Sequence, residues 1–261
     1  MTVQIHTVPA FNDNYLWLLA DEASGQALVV DPGDSAPVKA ALARLGLTLT
    51  GILITHHHPD HIGGVDALVA EYRCAVHGPH SDRIPQITHP LREGDRLALL
   101  GLDLEVIEVP GHTLDHIAYF CRQGADGQPW LFCGDTLFAA GCGRLFEGTP
   151  PQMYDSLTKL AALPAATRVY CAHEYTLANL RFAVAVEPDN QALLERQARV
   201  QSLRDADIPS VPFSLADELA TNPFLRCHLP AVAEAAARRG DAPLHSPVEV
   251  FAAVRRWKDD F

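Results

Sequence analysis

Short apolar runs broken by turn residues dominate the first two thirds of the chain, and a helical periodicity takes over in the last third. Runs at 3–8 and 15–20, on either side of Asn12-Asp13-Asn14, read as two strands. A third covers 27–30, a helix covers 36–45 and ends at Gly46, and another strand covers 52–55. This alternation predicts layered α/β packing. A helix is expected over 63–72 and a short strand over 75–77. The stretch 78–94, with Pro79, Pro85 and Pro90, reads as loop. Strands at 96–100, 104–109, 116–121 and 130–133, punctuated by Gly101, Gly111, Gly124 and Gly127, predict an antiparallel meander. After a last strand at 168–172 come helices at 177–186, 190–205, 215–220, 230–239 and 248–258, with no strand pattern remaining. The division expected is a mixed α/β domain over 1–172 and a helical domain over 173–261.

Several of these strands end in chemistry. The run Gly51-Ile52-Leu53-Ile54 leads into Thr55-His56-His57-His58-Pro59-Asp60-His61. His56 and His58 are two apart, so an extended backbone turns them to one face, where they can bind one ion together. Asp60 and His61 follow the bend at Pro59 and can serve a second. His112, Asp135 and His173 each sit at the exit of another apolar strand. Seven such donors suffice for two ions with a carboxylate and a water between them. Imidazole and carboxylate suit zinc, iron or manganese. Asp31, ending the third strand, either orients a ligand histidine or caps the helix that follows; the residues leave both open. His77, His80 and His89 lack partners at ligand spacing and read as hydrogen-bonded or exposed.

Composition narrows the function classes. A net charge of -12 argues against a nucleic-acid or anionic-membrane partner. Six cysteines without C-x-x-C spacing read as reduced, buried thiols of a cytoplasmic protein. Cys142, between two glycines, is the one thiol in a loop suited to attack, and a nucleophilic role is disfavoured. No secretory signal and no membrane span are expected. In the last helix Arg255 and Lys258, three apart, share a face; that face is either a solvated basic end or an anion clamp.

The series His56-x-His58-x-Asp60-His61, His112, Asp135, His173 resembles the metallo-β-lactamase superfamily. Gly134-Asp135-Thr136-Leu137-Phe138, Gly141-Cys142-Gly143-Arg144, Cys171-Ala172-His173-Glu174-Tyr175-Thr176 and Thr221-Asn222-Pro223-Phe224 narrow the likeness to the glyoxalase II (hydroxyacylglutathione hydrolase) family. The resemblance implies a four-layer αββα sandwich followed by a small helical domain. It also implies two divalent ions, with zinc expected, and hydrolysis of S-D-lactoylglutathione to glutathione and D-lactate, the second step of methylglyoxal detoxification. His56, His58 and His112 would hold one ion, Asp60, His61 and His173 the other, and Asp135 would bridge. His57 would point away, and His116 matches no ligand position. Asp60 and Asp135 would act on a water activated by the ions. Arg144, Tyr175, Arg255 and Lys258 match glutathione-contacting positions, so the small-molecule thioester is the expected partner and the chain a monomer.

Two positions depart from the family pattern. Arg144 replaces a usual lysine and Phe146 a common tyrosine, which bears on affinity more than on reaction type. The competing functions are a mononuclear iron persulfide dioxygenase of the same superfamily and a non-catalytic metal-binding module. The complete second ligand set argues against both.

Overall fold

The computed structural model describes residues 3–239 and 243–261, and the chain divides into two units. The first comprises residues up to 108 together with 115–134, the second 109–114 and the chain from 135 onward.

In the first unit, β1 (Val3–Ala10), β2 (Asn14–Asp21), β3 (Gln26–Val30), β4 (Thr48–Leu53), β5 (Ala75–Pro79) and β6 (His89–Leu91) form one mixed sheet in sequence order. β1, β2 and β3 pair antiparallel; β3 to β6 pair parallel. Parallel neighbours need crossovers. These are α1 (Ser35–Leu45) and the pair α2 (Pro59–Ile62) and α3 (Val65–Tyr72). One face of the sheet, with Leu18, Val29, Ile52 and Val76, packs on Val38, Leu42, Val65 and Leu68 of these helices. Trp17, Leu19, Leu28 and Val30, which alternate with them, are buried as well, so both faces of β2 and β3 are covered. α1 is capped by Asp34, whose carboxylate accepts from Ala36 N, and closed by the left-handed Gly46.

β7 (Arg96–Leu99), β8 (Leu102–Glu108), β9 (Ile117–Cys121) and β10 (Trp130–Gly134) make the expected meander. The buried Tyr119 of β9 donates its hydroxyl to the Ile54 carbonyl at 2.7 Å, and Ile117 N donates to Thr55 O at 2.9 Å. The meander therefore lies against the first sheet where the histidine run leaves it.

The second unit contains β11 (Leu137–Phe138), β12 (Gly141–Cys142), α4 (Pro150–Ala161), β13 (Arg168–Cys171), α5 (Thr176–Val186), α6 (Gln191–Asp205), β14 (Phe213–Ser214), α7 (Leu215–Thr221), α8 (Pro230–Ala237) and α9 (Pro247–Asp259). Leu180, Ala183, Leu193 and Val200 join α5 to α6. Phe182 stacks on Phe224, which meets Phe251 edge-on, an aromatic centre that reaches α9.

The structure corrects three expectations. The stretch 78–94 is not wholly loop: β5 runs to Pro79 and the edge strand β6 carries Pro90, tolerated because an edge needs no donor on its outer side. The last third holds one further strand, the two-residue β14, too short to carry a pattern. The helix expected over 63–72 starts at Val65, with Gly63 and Gly64 separating it from the short α2. Sequence reading passed over α4, although Thr149 and Gln152 form a capping box, Pro150 stands at its start, and Met153, Leu157 and Leu160 repeat at helical spacing.

Candidate metal centre

β4 ends just before Thr55, and its buried register delivers His56 to the interior, 0 % exposed. The turn of α2, opened by Pro59, carries Asp60 and buries His61. One ligand atom each from His56 and His58 lies within 4.8 Å of the other, as do those of Asp60 and His61. The pairing read from the two-residue spacing and the bend at Pro59 is thus present.

Asp31 anchors this half of the centre. Its carboxylate accepts from Thr55 N at 2.7 Å and from the Thr55 hydroxyl at 2.7 Å. With its proton given to Asp31, the Thr55 oxygen accepts from His56 Nδ1 at 3.1 Å, which turns a lone pair outward on Nε2. The same Asp31 Oδ2 lies 3.1 Å from His61 Nδ1. Of the two readings left open for Asp31, capping of α1 falls to Asp34, and the Asp31 carboxylate meets Thr55 and lies beside His61 instead. Asn14 Nδ2 donates to Asp60 Oδ2 at 3.0 Å. His57 is turned elsewhere: Nδ1 donates to Asp115 at 3.0 Å and Nε2 accepts from Arg83 at 2.8 Å. His116 stacks on His56 with ring centres 4.5 Å apart and donates to the Ile117 carbonyl. Among the other histidines, His77 is buried against the exposed His89, and burial lowers its pKa.

Glycines permit the close approach of two loops here. Gly64 N donates to Pro32 O at 2.8 Å, and a Cβ on Gly33 would fall 1.7 Å from the Asp60 carbonyl oxygen. Gly63 and Gly64 thus serve the contact with the Asp31 loop. Gly134, at the end of β10 with φ +47°, would press a Cβ to 2.3 Å from Thr55 Oγ1.

In the second unit, Asp135, His112 and His173 are all buried. His112 Nδ1 donates to the Arg144 carbonyl at 2.8 Å. Its Nε2, left with the lone pair, faces Asp135 Oδ2 at 3.4 Å, while His173 Nε2 faces Asp135 Oδ1 at 3.3 Å. Both separations exceed those of good N–H···O hydrogen bonds. A lone pair directed at a carboxylate oxygen is repulsive unless a cation is shared between them, so one carboxylate facing two imidazoles, one at each oxygen, fits divalent ions.

Tyr175 stacks on His173, ring centres 4.7 Å apart and nearly parallel, with Phe138 edge-on to both. The exposed Phe146 lies edge-on to His112. In α9, Arg255 is buried, donating to the Cys142 carbonyl at 3.0 Å and to Asp259 at 2.9 Å. Lys258 is half-buried over Phe182 and Phe261. Burial, and then Arg255, Arg181 and Arg144, push its ammonium down to about 8. Arg144 itself is exposed, 3.7 Å from Asp259. Cys142 is buried and burial pushes its thiol up, which removes it as a nucleophile.

Two family models cover nearly all of the chain. That of the metallo-beta-lactamase superfamily matches residues 13–173, and one described as hydroxyacylglutathione hydrolase C-terminus matches 174–261. The hydroxyacylglutathione hydrolase of Alkalilimnicola ehrlichii is 58 % identical over 258 residues, 98 % of each chain. The chain belongs to the hydroxyacylglutathione hydrolase family. Among solved structures similar to this family member, ETHE1 from Myxococcus xanthus is 27 % identical with TM-score 0.65, over 99 % of this chain and 98 % of that one. TTHA1623 in a di-iron-bound form is 31 % identical with TM-score 0.53, over 65 % of this chain and 91 % of that one.

The resemblance read from the motifs is therefore borne out, as is the α/β sandwich with a helical C-terminal region. Membership of the superfamily together with these histidine and aspartate clusters indicates a binuclear divalent-metal site. No helix among the described residues is long and apolar enough to cross a membrane. Sequence reading of this hydroxyacylglutathione hydrolase family member missed Thr55, Asn14 and Arg181. A polar residue flanking a buried strand was the available signal for the first two; Arg181 gave none.

Proposed function

We propose that the protein hydrolyses S-lactoylglutathione and related S-2-hydroxyacylglutathiones to glutathione and the hydroxy acid. Two divalent ions, zinc in this reading, would be held by His56, His58 and His112, and by Asp60, His61 and His173, with Asp135 common to both. The 58 % identity to a hydroxyacylglutathione hydrolase over nearly the whole chain supports the substrate class. The observation that carries the chemistry is Asp135, with His112 and His173 facing its two oxygens at 3.4 and 3.3 Å. The di-iron form of TTHA1623 accords with a pair of ions.

When bound, such ions supply a water acidic enough to attack near neutral pH and polarise the thioester carbonyl. Asp60, steadied by Asn14, would receive that water's proton. Hydrolysis would break the thioester C–S bond, the water oxygen passing to the hydroxy acid and glutathione leaving as thiolate. Thr55, held by Asp31, would keep His56 in the tautomer that ligates through Nε2, while Asp31 lies beside His61. Lys258, with Arg255 and Arg144, provides positive charge for the carboxylates of glutathione, and Tyr175 is stacked on His173. In this reading residues 1–172 form the catalytic domain, which also lends Arg144 to the substrate, and 173–261 the helical substrate-binding domain, whose first residue His173 completes the centre, in a cytoplasmic monomer.

Elemental analysis of the purified protein, alongside thiol release from S-lactoylglutathione, tests the reading. Two ions per chain and thiol release are expected, and Asp135→Ala should lose both metal and turnover. Normal turnover by Asp135→Ala with two ions retained would overturn it.

A further inference from the structure

The segment from Asp135 to Arg144 touches every ligand of the second unit. Asp135 opens it. Phe138 lays its ring edge on His173, centres 5.8 Å apart. The Arg144 carbonyl at its far end accepts from His112 Nδ1 at 2.8 Å. The segment also closes on itself: Gly143 N donates to Thr136 O at 3.2 Å, and a Cβ on Gly143 would lie 2.0 Å from the Asp135 carbonyl oxygen and 3.0 Å from His112 Nδ1. Any shift of this loop moves three ligands together.

Its tip is the hairpin β11–β12, which turns through Ala139 and Ala140, the latter left-handed at φ +55°, a conformation unfavourable to alanine. Buried side chains from the helices grip the hairpin. Glu218, 0 % exposed, accepts from Ala140 N at 2.8 Å and from Asn222 Nδ2 at 2.8 Å. Asn222 Nδ2 reaches Gly141 O at 2.9 Å and Phe138 O at 3.3 Å, and Asn179 Nδ2 donates to Ala139 O at 3.1 Å. Arg255 holds the Cys142 carbonyl. Arg196 in turn binds Glu218, and its other amino group donates to Thr221 at 2.6 Å. Five consecutive residues of the hairpin, 138–142, are thus fixed through backbone atoms by side chains of α5, α7, α9 and the α7 C-cap.

We propose that Asn179, Glu218 and Asn222 are positioning residues for the metal centre. They act through the hairpin to set the spacing of Asp135, His112 and His173. The buried backbone groups of this turn need partners wherever it sits; here the partners come one by one from separate helices, so the carbonyls they hold fix where the turn sits.

The proposal rests on the binuclear reading, and its test separates the two. Wild type, Asn179→Ala, Asn222→Ala and Val232→Ala are purified. Metal content, metal affinity by chelator competition, melting temperature, kcat and KM are measured on each. Val232, buried in α8 and outside the hydrogen-bonded grip, controls for loss of stability alone. The expected result is two ions per chain in wild type and Val232→Ala. In Asn222→Ala, affinity should fall about tenfold or more, with a smaller loss in Asn179→Ala, and kcat should fall while KM holds. Wild-type metal affinity in a folded Asn222→Ala, or equal metal loss in Val232→Ala at matched melting temperature, would overturn the positioning role. Should Asn222→Ala fail to fold, Asn179→Ala decides by the same criterion. A wild type without metal would instead overturn the binuclear reading.

Discussion

Asp31 contributes no atom to the sequence motif, yet one carboxylate meets Thr55 twice and His61 once. Replacing it by asparagine keeps the shape and removes an acceptor. The amide oxygen can stand in for one carboxylate oxygen but not both, so either Thr55 N or the Thr55 hydroxyl loses its acceptor. Asp31→Asn should therefore lower metal affinity about 10- to 100-fold while leaving far-UV circular dichroism unchanged. Chelator competition measures the first, and unaltered affinity would deny Asp31 its orienting role. At this scale the sequence was partly legible. Histidines two apart on a strand declared their shared face, but Asp31 and Asp34 were equivalent candidates for capping α1, and only the fold shows that Asp34 takes the cap.

Among the elements, strand exits were the readable feature. β10 and β13 each end an apolar run just before a polar donor, and the run lengths located them, whereas β4, expected over 52–55, runs from Thr48 to Leu53. β6 and β14 were not readable because two or three residues carry no period, and their pairing is decided by partners remote in sequence. α9 was read as a helix with Arg255 and Lys258 on one face; that Arg255 is buried against Cys142 depends on the β11–β12 hairpin, which spacing along α9 cannot reveal. The double variant Arg255→Ala with Lys258→Ala should raise KM for a glutathione thioester about tenfold or more, the worth of a charge-assisted hydrogen bond. An unchanged KM would dismiss this helix as the carboxylate site. Because burial and neighbouring guanidinium groups bring Lys258 down to about 8, its charge is present below that pH and lost above it. In wild type, kcat/KM should fall as pH rises through about 8, and Lys258→Ala should lack that limb.

For the molecule as a whole, ions that bind the folded chain and not the unfolded one add to its stability by mass action, about 2.7 kcal/mol at a hundredfold excess over Kd. Chelation should lower the melting temperature by about 5 °C or more, and readdition of zinc should restore it. A melting curve indifferent to chelator would contradict binding at this centre. Fold class and family were legible because the donor series from His56 to His173 and the motifs up to Phe224 are spread through most of the sequence. The gathering of Arg144, Arg181, Arg255 and Lys258 in a chain of net charge -12 was legible only in part, since summed charge conceals where like charges collect.

The backbone contact at Gly33 carries a further consequence. A single methyl group there would collide with the carbonyl of Asp60 and wedge the loop bearing Asp31 away from the turn bearing His61. Inactivating substitutions in this protein need not fall on groups that donate, accept or titrate. Among the least mutable sites is one whose contribution is to occupy no room.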